Sequence, residues 1–147
     1  MKYFAYGSNM NHEKMRKRNI NFSQRKHTLL RDYRLEFNKI AKRSPEEGYA
    51  NIVPEQNEIV EGVLYEMKKS DLLKLDKSEG YPVHYNRIKL KVKDDNKEVK
   101  AEVYIAQPNK IKKGLKPSKD YLKDLLAAKD ILSKNYLMKL KANETID

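Results

Sequence analysis

The chain has no cysteine and no tryptophan, and only 5 glycines, 5 prolines and 3 phenylalanines among 147 residues. Without cysteine there is no disulfide, no thiolate nucleophile and no cysteine-ligated zinc. No apolar run approaches the roughly 20 residues that span a bilayer as a helix. The first residues hold one lysine and a short strand-like run, not the apolar stretch and small-residue cleavage site of a secretory signal. The expectation is a cytoplasmic protein without a membrane partner. Acidic residues are also short in supply, with 21 Asp and Glu against 32 Lys and Arg, a net charge of +11. Such an excess invites a nucleic-acid reading. Most of the positive residues are lysines, however, scattered between acids, and the densest patches are the short runs Lys14–Arg18 and Lys110–Lys116. Bidentate base and phosphate contacts favour arginine. A solvated lysine-rich surface is the preferred reading, and no nucleic-acid partner is expected.

The length suits one domain over 1–147 with one core. Hydrophobic residues make up 39%, and tyrosine is the main aromatic, with 10 copies. Tyrosine tolerates a half-buried position whose hydroxyl finds a partner, which suits strands and pocket walls.

Patterning gives strands first and helices last. Lys2–Tyr6 reads as a strand closed by Gly7, and Asn11–Arg18 as a short helix capped by Asn9 or Asn11. Alternation from Tyr33 puts Tyr33, Leu35 and Phe37 on one face of a strand within 26–40. Ser44–Tyr49 reads as a loop, Ala50–Val53 as a short strand stopped by Pro54, and Ile59–Met67 as a strand in which Gly62 marks a bend or bulge. Ser70–Asp76 reads as a helix capped by Ser70. Tyr85–Val92 and Val99–Ala106 form a hairpin through Asp94-Asp95-Asn96-Lys97. Helical spacing returns after Pro117, with Ser118 and Ser133 as caps of two helices that break near 131–133. The expected fold class is α+β: a small mixed, mainly antiparallel β-barrel flanked by short helices, with a C-terminal helical segment.

Several chemistries find no support. His12, His27 and His84 lie far apart, with neither HxH nor HExxH spacing, so no metal is expected. Ser8 is not in a nucleophile elbow. Two places stand out. The first is the turn Tyr6-Gly7-Ser8-Asn9, where a strand meets a helix and backbone N–H groups lack intrahelical acceptors. Such a turn can hold a carboxylate or carbonyl oxygen, or it can be an ordinary strand-to-helix turn with an Asn cap. The second is Glu79, set between a helix and the turn formers Gly80 and Pro82. It is either a solvated surface carboxylate or an acid in a desolvated pocket, where a raised pKa suits proton transfer. Asn51 and Glu61 read as a strand-end amide and an exposed strand carboxylate.

The fragments YFAYGSN, ANIVP, VEGVLYEM, LDKSEGYPVHY, VYIAQP and PSKDY, in this order, resemble the gamma-glutamylcyclotransferase-like family over Tyr3 to about Tyr121. The resemblance implies a small mixed barrel with one cavity at its mouth. It also implies release of 5-oxoproline from a small-molecule gamma-glutamyl substrate by internal attack, without metal or cofactor. Tyr6, Gly7, Ser8 and Asn9 would grip the gamma-glutamyl part. Glu79 falls where the family has its acid/base carboxylate. Tyr85 and Tyr104 match pocket tyrosines, and Tyr121 matches a tyrosine that closes over the site. The resemblance is looser around Ser44–Tyr49 and over the C-terminal helical region, which would shape the leaving-group end. A relative acting on a gamma-glutamylated biosynthetic intermediate or a gamma-glutamyl-lysine amine is the near alternative. A binding module without turnover, for a small molecule or nucleic acid, is the distant one. The chain would act as a monomer or homodimer.

Overall fold

The short run of aromatics at the start becomes the middle of the sheet. In the structure, a computed structural model describing Met1–Asp147, β1 (Lys2–Ala5) buries Tyr3, Phe4 and Ala5. It lies between β3 (Gly48–Glu66) and β5 (Lys97–Ala106) in a five-stranded sheet of order β2-β3-β1-β5-β4. β1 runs antiparallel to β3 and parallel to β5. β2 (Gln24–Ile40) with β3, and β4 (Tyr85–Asp94) with β5, are antiparallel hairpins. Four helices complete the chain: α1 (His12–Lys17), α2 (Lys69–Glu79), α3 (Lys119–Leu126) and α4 (Lys134–Lys141). The class is therefore α+β, mixed and mainly antiparallel, as expected.

The expected barrel stops short of closure. The outer strands β2 and β4 share no backbone ladder. They meet through side chains instead: Thr28 Oγ1 donates to the Lys93 carbonyl at 2.5 Å, and Lys26 pairs with Asp94 and Asp95. A ladder needs strands about 4.8 Å apart. At this seam side chains bridge the two edges in place of a ladder.

Two short strands expected at 50–53 and 59–67 are one strand. Tyr33 pairs with Pro54 and Arg31 with Ile59, so Asp32 alone faces residues 55–58. The extra residues form a bulge pinned by Asn57 N–H donating to Asp32 Oδ1 at 3.0 Å, and both Asp32 and Asn57 have positive φ. β2 begins at Gln24, earlier than its alternation indicates, because its first residues pair with Val63–Glu66.

The helix caps follow side-chain chemistry. Asn11 accepts from Glu13 N–H at 3.1 Å, Ser118 from Tyr121 N–H at 3.1 Å, and Ser133 from Tyr136 N–H at 3.2 Å. Ser70 is not a cap. α2 starts at Lys69 after the extended Lys68, which places Ser70 inside the first turn. Glu61 is not a free strand carboxylate either. It accepts from Ser133 N–H at 2.9 Å and Ser133 Oγ at 2.6 Å, anchoring the start of α4 to the sheet. Asn51 is buried, and its Oδ1 accepts from Ala106 N–H at 2.9 Å, joining β3 to β5 where β1 has ended.

Thirty buried residues form one apolar cluster that includes Phe4, Ile52, Leu64, Leu75 and Leu125. Gly62 does not bulge. It pairs regularly with Thr28, and a Cβ there would sit 2.3 Å from the Ala5 carbonyl and 2.6 Å from the Phe4 ring. The missing side chain lets β1 lie close on β3. Gly62→Ala is expected to destabilise the fold by roughly 1–3 kcal/mol through overpacking, read as a lower urea midpoint with an unchanged slope.

Candidate active site

The turn after β1 is a short 3-10 segment, Ser8–Met10, with Gly7 before it. Met10 N–H donates to Gly7 and Asn11 N–H to Ser8. The N–H groups of Ser8 and Asn9 go to no backbone carbonyl. Gly7 packs against the opposite wall, since a Cβ there would lie 3.1 Å from Ala50 Cβ and 3.2 Å from the Tyr121 hydroxyl. Asn9 does not cap α1. It is 3% exposed, and its side-chain amide and its backbone carbonyl are all engaged. Its Nδ2 donates to Tyr3 Oη at 2.9 Å and to Glu79 Oε1 at 2.6 Å. Its Oδ1 accepts from Arg18 at 3.2 Å, and its carbonyl accepts from the Tyr65 hydroxyl at 2.8 Å.

Glu79 is the last residue of α2. Gly80, left-handed at φ 64°, ends the helix there, a conformation glycine adopts without strain. Leu72 and Leu75 bury the helix against the core, and this fixes the direction of the final turn. The Glu79 carboxyl consequently faces Asn9, 70 positions away in sequence. Burial raises its pKa above the ordinary value of 4.5. The Asn9 hydrogen bond and the charges of Arg18, Lys14 and Lys42 act in the opposite direction. Oε1 is held by Asn9, and Oε2 has no protein partner.

These groups line one cavity of about 310 Å³. The structure brings every expected site residue to it: Tyr6, Gly7, Ser8, Asn9, Glu79, Tyr85, Tyr104 and Tyr121. Three tyrosine hydroxyls are committed to the fold. Tyr6 donates to the Tyr104 carbonyl at 2.5 Å, Tyr85 to the Ala50 carbonyl at 2.8 Å, and Tyr104 to Asp76 Oδ1 at 2.7 Å. Burial pushes all three phenols up, so they stay neutral. Tyr121 differs. Its oxygen accepts from Ala50 N–H at 2.9 Å, which leaves its proton free to donate. Its ring stacks on Tyr49 at 4.8 Å between centroids.

Three contributors were not singled out in the sequence. Arg18 holds Asn9. Asp76, one turn before Glu79, fixes Tyr104 and lies 3.3 Å from Arg87. Lys39 lines the cavity although it is only 1% exposed. A signal existed for Lys39, because the alternation Tyr33, Leu35, Phe37 continues to it. The histidines do not gather: His12 contacts Glu13, His27 contacts Glu61, and His84 contacts Lys39. No group of three or more His, Asp or Glu forms a cluster suited to a metal ion. No helix is long and apolar enough to cross a membrane.

The chain is 37% identical to a gamma-glutamylcyclotransferase of Bos taurus over 81 residues. That match covers 53% of this chain and 43% of the bovine protein, so it spans less than half of the relative's length. Among solved structures, a gamma-glutamyl cyclotransferase superposes with a TM-score of 0.88 at 33% identity, covering 100% of this chain and 89% of that one. An uncharacterised Homo sapiens protein superposes with a TM-score of 0.88 at 32% identity, covering 99% and 89%. A Bacillus subtilis protein at 24% identity, with a TM-score of 0.84 and coverage of 96% and 52%, shares the fold. The family model described as "Gamma-glutamyl cyclotransferase, AIG2-like" matches residues 3–123, and the chain belongs to that family.

Proposed function

We propose that this chain is a gamma-glutamyl cyclotransferase that releases 5-oxoproline and a free amine or amino acid, with Glu79 as its acid/base. The observation that carries this reading is the half-buried Glu79 carboxyl, which shares a cavity with the Tyr6–Asn9 turn and has one oxygen unengaged.

The substrate's α-amine attacks its own γ-carbonyl carbon. A C–N bond forms, the carbonyl oxygen takes up negative charge, and the bond to the departing nitrogen then breaks. The α-amine is mostly protonated near neutral pH, so a base must take a proton from it. The departing nitrogen must receive one. Glu79 Oε2 can do both in turn while Asn9 holds Oε1 still. The raised pKa of Glu79 brings its proton affinity nearer to that of the working solution. The Asn9 N–H, free of a backbone acceptor, and the Ser8 N–H, which faces the Tyr121 hydroxyl oxygen, are the donors for the developing oxyanion. Such a donor is worth about 2.7–4 kcal/mol where it has been removed. The Tyr121 hydroxyl, with its proton available at the cavity, adds a third polar handle. The reaction is intramolecular, so tyrosine walls that hold the chain folded back supply rate through orientation. The remaining steps need only protein groups and the substrate's own nucleophile.

Glu79→Gln keeps the size and the acceptor for Asn9 but removes the proton carrier. Release of 5-oxoproline from gamma-glutamyl amino acids should fall by about 10²-fold or more, while 5-oxoproline still binds within a few-fold. Activity within a few-fold of wild type would remove Glu79 from the mechanism.

The pH dependence has a defined direction. A base must be ionised, so kcat/KM should fall with acidification through a pKa above the ordinary 4.5, and this limb should vanish in the Gln variant. Stability moves the other way. Between the unfolded and folded pKa values the native state binds more protons, so this group's contribution declines as pH rises. Glu79→Gln should therefore raise the melting temperature at pH 7, with a gain that shrinks as pH falls through the folded pKa. A gain that grows on acidification would contradict the raised pKa.

A further inference from the structure

The cyclisation chemistry leaves one cavity residue without a task. Lys39, on β2, lines the same cavity as Glu79 and is almost wholly buried. Its ammonium touches no carboxylate. Nζ donates to the Ile40 carbonyl at 2.8 Å and meets His84 Nδ1 at 3.0 Å. An ammonium has three N–H donors, so one remains. Two rings lie beside it, with the Tyr49 and Tyr85 centres at 5.8 and 5.7 Å. Three of the other four cations of the cavity have partners, and the fourth, Lys42, is exposed to solvent. Lys14 has Asp124 at 3.1 Å, Arg43 has Glu47 at 2.7 Å, and Arg18 is spent on Asn9.

A buried charge is expensive unless it is paired. Here burial, and repulsion from Lys42 and Lys110, bring the Lys39 pKa down to about 8, with Glu79 acting in the opposite direction. A desolvated cation with a spare donor, facing a polar cavity, fits an anion. The proposed substrate supplies carboxylates and no other fixed negative charge. We propose that Lys39 is the carboxylate-binding residue of this cavity, pairing with a carboxylate of the gamma-glutamyl substrate and selecting for compounds that carry one at that point. The inference rests on the cyclotransferase reading for the identity of the ligand, though not for the site.

Two carboxylates of such a substrate share this chemistry. Every gamma-glutamyl compound has one beside the α-amine, and a departing amino acid has a second. The test pairs γ-glutamylalanine with γ-glutamylethylamine, which lacks only the second. Lys39→Met keeps an unbranched chain of similar length without the charge. It should raise KM for γ-glutamylalanine at least tenfold and change kcat less than threefold. Lys39→Arg should recover part of the loss. An equal loss on both substrates assigns Lys39 to the carboxylate beside the α-amine. A loss on γ-glutamylalanine alone assigns it to the departing amino acid.

Calorimetric titration of γ-glutamylalanine into wild type and Lys39→Met separates the two readings. If wild type binds but does not turn over, the cyclotransferase reading falls. A tenfold weaker Kd in the variant then still supports the carboxylate site. Equal KM and Kd in the two proteins overturn the site, and so does absence of binding to wild type. Without ligand, Lys39→Met should melt at or above the wild-type temperature, because a buried charge without a counter-ion is removed. Melting well below wild type would make Lys39 a structural residue and overturn the proposal.

Discussion

A single amide-to-carboxylate contact, Asn9 Nδ2 to Glu79 Oε1 at 2.6 Å, joins the start of the chain to the end of α2. Much of the neighbourhood exists to hold its two ends. Arg18 and the Tyr65 hydroxyl fix Asn9 from either side, and Tyr3 shares its amide. On the other side, the buried leucines of α2 and the left-handed Gly80 fix where the helix stops. A carboxyl in such a place is unfavourable when ionised, and the surrounding cations offset that only in part. The fold thus holds a charge-bearing group where water would ordinarily be needed to stabilise it. Perturbed acids of this kind concentrate at functional sites.

The tyrosines show how the same side chains serve core and cavity. Tyr6, Tyr85 and Tyr104 place their rings at the cavity and their hydroxyls on protein acceptors. A wall whose polar atoms are already engaged is preorganised. Tyr121 carries the exception. The Ser118 cap sets the first turn of α3, and that turn delivers the Tyr121 hydroxyl onto Ala50 N–H. The C-terminal helices therefore belong to the cavity's construction and not only to the exterior.

Much of this was legible in the residues. Helix caps at Asn11, Ser118 and Ser133 were readable because a short oxygen-bearing side chain ahead of an apolar-periodic run has one low-energy use. The β4–β5 hairpin was readable because alternation and turn chemistry agree. The fragments from Tyr3 to Tyr121 were specific enough together to point to the family that the comparison with known proteins supports. What stayed hidden depends on partners distant in the chain. Ser70 has the chemistry of a cap, but packing starts the helix at Lys69. Gly62 looks like a bulge, yet its space belongs to β1, which no local pattern reveals. Closure of the barrel depended on whether two edges come within ladder distance, and Thr28 and Lys26 keep them bridged by side chains. Lys39 escapes a local reading because lysine is ordinarily solvent-facing, although its place in the alternation indicates the inner face.

The bulge opposite Asp32 divides the long β2–β3 hairpin into two arms. The inner arm is clamped by β1 through Ala5 and its neighbours. The outer arm carries Lys39, Tyr49 and Ala50, and thus one whole side of the hollow. Its inclination is set at a joint built from Asp32, Asn57 and the residues between Pro54 and Ile59, none of which borders the hollow. Altering the number of residues at that joint would re-aim this part of the sheet, which carries a second irregularity between Glu36 and Lys39, widening or narrowing the chamber while leaving each group that lines it chemically intact.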